Sequence, residues 1–317
     1  MSVHTALEAG RSTDARAPAP RGPRRRRRVR AVLEAYTMLA PSLVGFLLFL
    51  VAPIFGVLAL SLFDWNLIGT PAFVGLANYR ELAGDPEARR AIINTIYYVL
   101  LNIPAQTVLA LLLAVALNRR LRGGKVLRLL YVLPWMAMPV ALGIIWTWIF
   151  DPKYGAINKL LGLAGIDGPA WLSSTTWAMP VLASVNIWQY TGYTMLILLA
   201  GLQAIPRRLL EAAEIDGASA TQRFFRITLP LLRPSMFFVL VTSTIGSFQM
   251  FDTVYVMTQG GPADSTETLN FHIYQQAFRL FRAGYASALA VVLFCLILLV
   301  TVAQYLYFRR RTIYDFS

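Results

Sequence analysis

The chain has 317 residues, of which 57% are hydrophobic and only 14% are charged. A soluble globular domain carries about 25% charged residues, so the composition argues against a soluble protein. The formal net charge of +13 does not indicate a nucleic-acid-binding protein, because the basic residues are concentrated in alternate segments between long apolar runs.

Six segments of 18 or more residues contain no charged side chain. A helix of about 20 mostly apolar residues crosses the hydrocarbon of a bilayer, whereas a buried helix of a soluble protein would be shorter and would carry a polar stripe. The sequence therefore predicts an all-α integral membrane protein with six transmembrane helices. In chain order, the predicted spans are 36–63, 91–117, 129–150, 176–202, 231–257 and 285–308.

Residues 1–30 are rich in Ala, Pro and Arg and have almost no large apolar side chains. Such a segment cannot bury enough surface to offset chain entropy, so we predict a disordered basic tail, followed by one six-span domain at 31–317 with its core at about 88–308. The first span is not predicted to be a cleaved signal peptide, because its 29 uncharged residues exceed the roughly 7 to 15 of a signal sequence.

Lys and Arg residues are distributed unevenly between the connecting segments. The N-terminal tail, the second and fourth connections and the C-terminal end hold 22 of the 29, and the other three connections hold seven. Basic residues favour the cytoplasmic side of a membrane, so the N and C termini are both predicted to be cytoplasmic. The arginine run at 24–30 is interpreted as an orientation signal beside anionic headgroups, with a nucleic-acid-binding tail as the alternative.

Prolines and short amphipathic patterns mark further features along the chain. Pro104 predicts a kink in the second span, and Pro134 and Pro139 lie within the third. Short helices are predicted in the three outer connections, near 76–82, within 151–175 and near 273–280. The single cysteine, Cys295, lies in an apolar run, so neither a disulfide nor a thiol metal site is predicted.

The sequence lacks a nucleotide-binding loop of its own. The pattern G-x-x-x-x-G-K-[ST] is absent, and the GGK at 123–125 does not have its spacing. A secondary carrier usually needs ionisable groups within its spans. Asp252 is the ionisable residue closest to the interior of a span. It would lie about 27 Å past Pro234 on a straight helix, so it is expected near the outer rim of the membrane. Energy for transport is therefore expected from a separate ATPase, with a secondary carrier or channel as the alternative.

An integral-membrane enzyme is a further alternative, and it would need a cluster of His, Cys or acidic residues. The chain has two histidines, His4 in the tail and His272 in an outer connection. No catalytic residue and no metal site is therefore predicted.

The segment EAAEIDGASATQRFFRITLPLLRP, residues 211–234, is polar although it lies between two apolar runs. Pro206 suits the first residue of a helix, and Gly217 can adopt the positive φ of a sharp turn at a helix end. A second short helix is predicted after this turn, and Pro230 and Pro234 are expected to break it. Two interpretations fit these residues: a rigid protrusion that docks on a partner, and an amphipathic connector that lies on the headgroups.

The same segment fits the pattern E-A-A-x3-G-x9-I-x-L-P without a gap, at Glu211, Ala212, Ala213, Gly217, Ile227, Leu229 and Pro230. The chain thereby resembles the permease subunits of bacterial ATP-driven importers that work with a solute-binding protein. The stretches LAGLQAIPRRLLEAAEIDGAS and FDTVYVMTQGGPADSTETLNFHIYQQAF look like the carbohydrate branch of that family, and are more similar to its maltose- and glycerol-phosphate-type first permease than to the partner permease. The resemblance covers roughly residues 30–317. The extra N-terminal spans and large outer domain of the enteric maltose permease have no counterpart in this sequence, so contacts made by that domain are not carried over.

The resemblance implies a role for the protrusion at 206–230. It would be a cytoplasmic coupling helix, between spans four and five, that sits in a groove of an ATPase subunit. Glu211 would be its charged anchor, Ala212 and Ala213 its close-packing face, and Gly217 its turn. The chain would bind no cofactor itself, since ATP and Mg²⁺ would be used by the ATPase.

The resemblance also implies the partners and the place of action. Two cytoplasmic ATPase subunits would move this permease and a second permease subunit, as a heterodimer, from inward-open to outward-open. An extracytoplasmic binding protein would deliver the solute, and the protein would lie among the lipids of a bacterial inner or plasma membrane. A carbohydrate is the expected solute, with glycerol phosphate or another small polar solute as the alternative.

Polar side chains within two spans predict a path for the solute. Four of them, in span four, fall within about 100° of one helix face, and two serines share a face of span five. These candidates are Asn186, Gln189, Tyr190, Tyr193, Ser243 and Ser247. Polar groups in a membrane helix face a cavity or a neighbouring helix, so hydrogen bonds between helices are the alternative explanation. The resemblance places the transmembrane site on these two helices.

Two nearby residues are left out of this predicted path. Gln249 points away from the serine face, and Trp135 is assigned to the membrane interface or to packing. No strongly basic cavity is predicted, so neutral sugars are favoured over phosphates.

Overall fold

A computed structural model describes residues 36–119 and 122–309. The predicted disordered tail at 1–30 and the last residues, 310–317, lie outside the described residues. The chain divides into two compact units, Met1–Phe55 and Gly56–Ser317. The first described helix, α1 (Tyr36–Leu60), is 25 residues long and strongly apolar. It contains a π-helical turn at Leu47–Val51, next to Pro53, which has no backbone N–H to donate to the preceding turn.

The unit Gly56–Ser317 is mostly helical. Its elements in chain order are β1 (Phe63–Asp64), β2 (Ala72–Phe73), α2 (Ala77–Gly84), α3 (Pro86–Leu117), α4 (Gly124–Met136), α5 (Pro139–Ile149), α6 (Ala156–Leu163), α7 (Ala178–Ala204), α8 (Arg207–Ile215), α9 (Ala220–Arg223), α10 (Leu229–Leu231), α11 (Arg233–Phe248), α12 (Asp252–Met257), α13 (Leu269–Tyr274) and α14 (Ala283–Arg309). The short helices predicted in the three outer connections correspond to α2, α6 and α13.

Four helical segments of the described chain are long and apolar enough to cross a membrane. They are Tyr36–Leu60, Pro86–Leu117, Arg233–Met257 and Ala283–Arg309, and the bent pair α4–α5 makes a fifth if it counts as one span. Helix α7 has 27 residues and no charged side chain, but it is not among them, because its amides, tyrosines and other polar residues lower its mean hydropathy. The chain therefore has the helices of an integral membrane protein, four or five of them by length and composition.

The third predicted span is not one continuous helix. α4 and α5 are bent by 95° relative to each other, and the two residues between them, Ala137 and Met138, have extended backbone. Pro139 causes this break, since a proline disfavours helical backbone at the residue before it and cannot donate to the preceding turn. Pro139 is instead the first residue of α5, a position that needs no donor.

The fifth predicted span is broken too. α11 ends at Phe248 and α12 begins at Asp252, so Gln249, Met250 and Phe251 interrupt the helix within the segment that would cross the membrane. Inside a bilayer, carbonyls freed by such a break need partners within the protein.

A small antiparallel pair of strands departs from the predicted all-α fold. β1 and β2 pair with Phe63 opposite Phe73, and the aromatic rings meet edge to face at 5.4 Å. The start of α14 packs against this pair. The backbone N of Ala283 donates to the carbonyl of Trp65 at 2.9 Å, and Gly284 lies so close to the carbonyl of Phe63 that a Cβ would overlap it.

The start of α3 is fixed by Asp85. Its side chain accepts a hydrogen bond from the backbone N of Glu87 at 2.8 Å, and it also accepts one from the hydroxyl of Tyr285 in α14. Burial raises the pKa of Asp85, but the bonds from Tyr285 and from the backbone amides of Glu87 and Ala88 outweigh this, so the pKa is below its ordinary value. A charged cap at a helix N-terminus is also favoured by the helix dipole.

Two apolar clusters form the interior of this unit. One contains Val99, Leu182 and Phe248, and the other contains Ala110, Leu198 and Val239, so that α3, α7 and α11 contribute to both. The stretches of these three helices between the clusters carry buried polar side chains, among them Asn102, Gln106, Gln189 and Ser247. The centre of the bundle is therefore a polar layer between two apolar ones.

Gly192 lets α7 approach α4 at backbone distance, and its replacement tests this packing. A Cβ at Gly192 would lie 1.8 Å from the carbonyl oxygen of Tyr131, which is a rigid backbone atom. We expect Gly192→Ala to destabilise the protein by about 1–3 kcal/mol, as overpacking does, and to lower its melting temperature in detergent.

Gly246→Ala is the matched control, because nothing lies within 4 Å of a Cβ at this position in α11. A helical Gly→Ala change without steric conflict stabilises by about 0.5–1 kcal/mol. If Gly192→Ala melts at the same temperature as Gly246→Ala or above it, the result would contradict the close packing of α4 against α7 at Gly192.

Candidate functional sites: the protrusion and the central cavity

The polar segment after α7 forms a helix, a turn and a second helix. α8 ends in a Schellman motif: the N of Ala218 donates to the carbonyl of Ala213 at 2.9 Å, and the N of Gly217 donates to that of Glu214 at 3.0 Å. Gly217 has φ +80°, so the predicted left-handed turn is confirmed. Ser219 then begins α9 with a capping box, in which Ser219 and Gln222 each bond the backbone N of the other.

α8 leaves several of its apolar side chains uncovered by the described chain. None of its residues is buried, and Ile215 and Leu209 are 87% and 43% exposed. Glu211 and Ala212 are exposed, and Ala213 is half-buried. Glu214 forms an ion pair with Arg223 of α9, which braces the two helices against each other. α8 therefore exposes Ile215 and Leu209 together with acidic Glu211 and the basic side chains of Arg207 and Arg208.

The predicted break at Pro230 and Pro234 is wrong. From Ala220 to Phe248 the backbone stays helical through α9, a π-helical turn at Phe224–Thr228, α10 and α11, with a single turn residue, Leu232. Pro230 follows the π-helical turn and Pro234 follows the turn residue Leu232, so each missing N–H falls where the regular α-helical bonding is already interrupted. Ile227, Leu229 and Pro230 are half-buried, so the second part of the pattern joins the protrusion firmly to α11.

The six polar side chains predicted for a solute path all line one cavity. This cavity has a volume of about 200 Å³ and lies in the polar layer between the two apolar clusters. α7 contributes Asn186, Gln189, Tyr190 and Tyr193, and α11 contributes Ser243 and Ser247.

Sequence reasoning missed the contribution of α3 to the cavity. Tyr98, Asn102 and Gln106 of this helix line it, and the two amides are only 3% and 4% exposed. The signal was present, since Asn102 and Gln106 lie one helical turn apart in an otherwise apolar run and so face the same way. Polar residues in a span face the bundle interior, and the same reasoning applied to α7 would have found them.

Hydrogen bonds from α3 connect the other two cavity helices. Asn102 Nδ2 donates to Ser247 Oγ at 3.0 Å, and Gln106 Nε2 donates to Thr194 Oγ1 at 2.8 Å and lies 3.5 Å from Ser243 Oγ. Because these hydroxyl oxygens accept from the amides, their O–H groups remain available as donors. The cavity wall therefore offers hydroxyl donors to a solute. Asn102 Oδ1 has no partner in the described structure, but it is fully buried and is not exposed in the wall.

An aromatic pair forms another part of the wall. Trp135 of α4 stacks on Tyr193 with ring centroids 4.6 Å apart and planes within 15°, and both line the cavity. Sequence reasoning assigned Trp135 to the interface or to packing, because it could not show that α4 packs closely against α7, at Tyr131 and Gly192.

The break between α11 and α12 brings Gln249 and Asp252 to the cavity, where sequence reasoning did not place them. Both positions were inferred from a straight helix, and the interruption at 249–251 changes the direction of the side chains that follow Phe248. Asp252 is the only charged side chain among the described residues that line the cavity.

Comparison with known proteins identifies the family of the chain. Residues 82–313 match the family described as binding-protein-dependent transport system inner membrane component. The chain is 40% identical over 272 residues to the sulfoquinovosyl glycerol transport system permease protein SmoG of Agrobacterium fabrum, covering 85% of this chain and 88% of that protein. It is 35% identical over 268 residues to the trehalose/maltose transport system permease protein MalF of Thermococcus litoralis, covering 84% and 90%. It is 33% identical over 281 residues to the sn-glycerol-3-phosphate transport system permease protein UgpA of Agrobacterium fabrum, covering 88% and 96%.

A solved structure shares the fold. A chain of a bacterial alginate ABC transporter, in complex with an alginate pentasaccharide-bound periplasmic protein, superposes with a TM-score of 0.78 at 24% identity, covering 89% of this chain and 96% of that chain. The family match spans well over half of the sequence, and it agrees with the resemblance found in the segment 211–230. The chain therefore belongs to the binding-protein-dependent transport system inner membrane components, and it is the inner-membrane permease of such an importer rather than an enzyme.

Proposed function

We propose that this permease forms half of the translocation path for a neutral carbohydrate, and that α8 couples this path to a cytoplasmic ATPase. The cavity carries the first part of the proposal: amides, hydroxyls and a stacked aromatic pair surround it, and none of its described lining residues is basic. Sugars present hydroxyl groups and apolar ring faces, which amides, hydroxyls and aromatic rings match.

The proposed topology has six spans with both termini in the cytoplasm. α1, α3, the bent pair α4–α5, α7, the broken pair α11–α12 and α14 would each cross once. The length of α7 supports counting it as a membrane span, because its 27 residues extend about 40 Å at 1.5 Å per residue. The concentration of Lys and Arg in alternate connections supports this orientation, in which α8 would lie on the cytoplasmic side.

The proposed solute class follows from charge. Recognition of phosphate in proteins relies on Arg or Lys side chains, and Asp252 gives the described lining a negative charge instead. A neutral sugar has no net charge for this wall to repel, whereas an anionic solute would be repelled by the carboxylate. Relatives named for trehalose and maltose support the carbohydrate, and those named for glycerol 3-phosphate define the alternative.

The volume of the cavity supports a shared path. At about 200 Å³ it is below the roughly 300–1,000 Å³ of pockets that enclose a small-molecule ligand. A second permease subunit would supply the remaining wall, two ATPase subunits would bind ATP and Mg²⁺, and an extracytoplasmic binding protein would deliver the sugar.

Uptake by the intact importer tests the solute proposal. Cells that express the importer are given one radiolabelled solute: trehalose, maltose or glycerol 3-phosphate. We expect the labelled sugars to be taken up. Unlabelled neutral sugars should compete with this uptake, and unlabelled glycerol 3-phosphate should not. Tyr190→Ala and Ser247→Leu are each expected to reduce sugar uptake about fivefold or more, the effect of losing about 1 kcal/mol of hydrogen bonding, while ATP hydrolysis without solute persists.

Tyr97→Ala is the matched control for the tyrosine change, because Tyr97 is exposed on α3 and is not among the residues that line the cavity. Uptake of glycerol 3-phosphate in preference to both sugars would contradict the proposed solute class. Normal uptake by both cavity variants at normal protein levels would assign these side chains to packing alone.

Co-purification with the ATPase tests the coupling proposal. Glu211→Lys reverses the charge of the docking edge, where like-charge contacts cost several kcal/mol. Gly217→Val forces a β-branched residue into φ +80°, where even an unbranched side chain costs about 1–2 kcal/mol. We expect both variants to reach the membrane but to lose the ATPase during detergent purification, or to lose transport-coupled ATP hydrolysis.

The segment between α6 and α7 offers matched controls on the opposite proposed side. Gly165 has φ +72° with open space around a Cβ, and Asp167 is exposed, so Gly165→Val and Asp167→Lys impose the same changes away from α8. ATPase retention and uptake at parent levels in both Glu211→Lys and Gly217→Val would show that α8 is only a connector on the headgroups.

A further inference from the structure

Three consecutive residues before and within α13 bind two different parts of the bundle. Thr268 Oγ1 donates to the carbonyl of Met250 at 3.1 Å, and Asn270 Nδ2 donates to the carbonyl of Gln249 at 2.8 Å. Between them, the backbone N of Leu269 donates to Thr95 Oγ1 of α3 at 2.8 Å. We refer to residues 268–270 as the clamp.

The clamp bonds are made at the helix break beside the cavity. In an unbroken helix, the carbonyls of Gln249 and Met250 would accept from backbone amides four residues further on. The break between α11 and α12 removes that arrangement, and an unpaired carbonyl at membrane depth is costly. The clamp supplies the replacement donors, so the geometry of the break depends on side chains from outside the broken helix.

The segment that leads into the clamp is itself tied to α3. Asn94 Nδ2 donates to the carbonyls of Asp264 and Glu267 at 2.8 and 3.0 Å, and Arg90 forms an ion pair with Asp264 at 2.9 Å. Thr268 and Leu269 are 1% and 0% exposed, whereas Asp264 is exposed. One short segment therefore runs from the protein surface to the wall of the cavity.

We propose that the clamp is a positioning element for the solute path: it holds the helix break in one conformation and so links the surface segment at 258–267 to the shape of the cavity. Gln249, Met250 and Asp252, at the break, all line the cavity. A movement of the surface segment would reach them through two hydrogen bonds. On the proposed topology this segment faces outward, so contact with the binding protein there would act on the cavity. This inference rests on the proposed role of the cavity in transport.

Thiol accessibility within the cavity tests the clamp. A reporter, Gly246→Cys in a Cys295→Ala background, lines the cavity with nothing within 4 Å of its Cβ. It is labelled with N-ethylmaleimide in membranes that contain the assembled importer and no solute. Thr268→Val and Asn270→Ala should each accelerate labelling about fivefold, the shift that loss of one net hydrogen bond produces in a two-state equilibrium. Thr268→Ser, which keeps the donor, should label at the parent rate.

Thr244→Val is the control for loss of a buried threonine hydroxyl outside both the clamp and the surface segment at 258–267. Thr244 of α11 is 0% exposed, its Oγ1 accepts a hydrogen bond from Gln304 Nε2 of α14 at 2.8 Å, and this bond lies away from the helix break. The substitution should lower the melting temperature without changing the labelling rate. If it accelerates labelling as much as Thr268→Val does, the effect is general loosening and the proposal is overturned.

Parent labelling rates in both Thr268→Val and Asn270→Ala would also overturn the proposal. Should Thr268→Val fail to accumulate, Asn270→Ala decides the question, because position 270 is only half-buried and tolerates truncation. The labelling assay contains no solute, so its outcome is independent of which solute the importer carries. A failed sugar-uptake test therefore leaves this result standing, and a failed clamp leaves the solute proposal standing.

Discussion

Backbone groups that enter the hydrocarbon of a bilayer need partners inside the protein, and side chains at the centre of this permease supply such partners. Asn102 and Gln106 of α3 give their amide hydrogens to hydroxyls of α7 and α11. The two carbonyls freed by the break after α11 accept from Thr268 and Asn270. Apolar clusters close this polar layer on both sides, and the carbonyls of Gln249 and Met250 beside the cavity have partners.

The polar layer also explains why α7 is less apolar than the other long helices. A span that only had to lie in lipid would gain from a leucine at position 186 or 189, whereas Asn186 bonds Thr253 Oγ1 at 3.0 Å and Gln189 lies in the cavity wall. Such residues are retained in a membrane helix where they serve a path or a neighbouring helix. The low hydropathy of α7 is thus a consequence of its place at the cavity.

Periodicity and charge predicted the helices and six lining residues, because a helical face depends on local spacing alone. The family was predicted instead from the resemblance of the segment 211–230 to a known pattern. Periodicity failed where the place of a side chain depends on packing between helices or on a helix break. Trp135 reaches the cavity because α4 packs against α7, where it stacks on Tyr193, and Asp252 reaches it beyond the break at 249–251. Pro139 signalled the break after α4. The break after α11 contains neither Pro nor Gly, and it is stabilised by side chains from α13 that the local sequence around 249 cannot reveal.

Two helices, α7 and α11, connect the protrusion directly to the cavity. α7 carries Tyr193 in the cavity wall and ends at Ala204, two residues before Pro206 caps α8. On the other side, the helical backbone from Ala220 continues with one turn residue into α11, which carries Ser243 and Ser247. About 14 residues, or roughly 21 Å of helix, separate Tyr193 from the start of α8. If α8 docks on an ATPase as proposed, a displacement of α8 would be carried along two helices, α7 and α11, that both line the cavity.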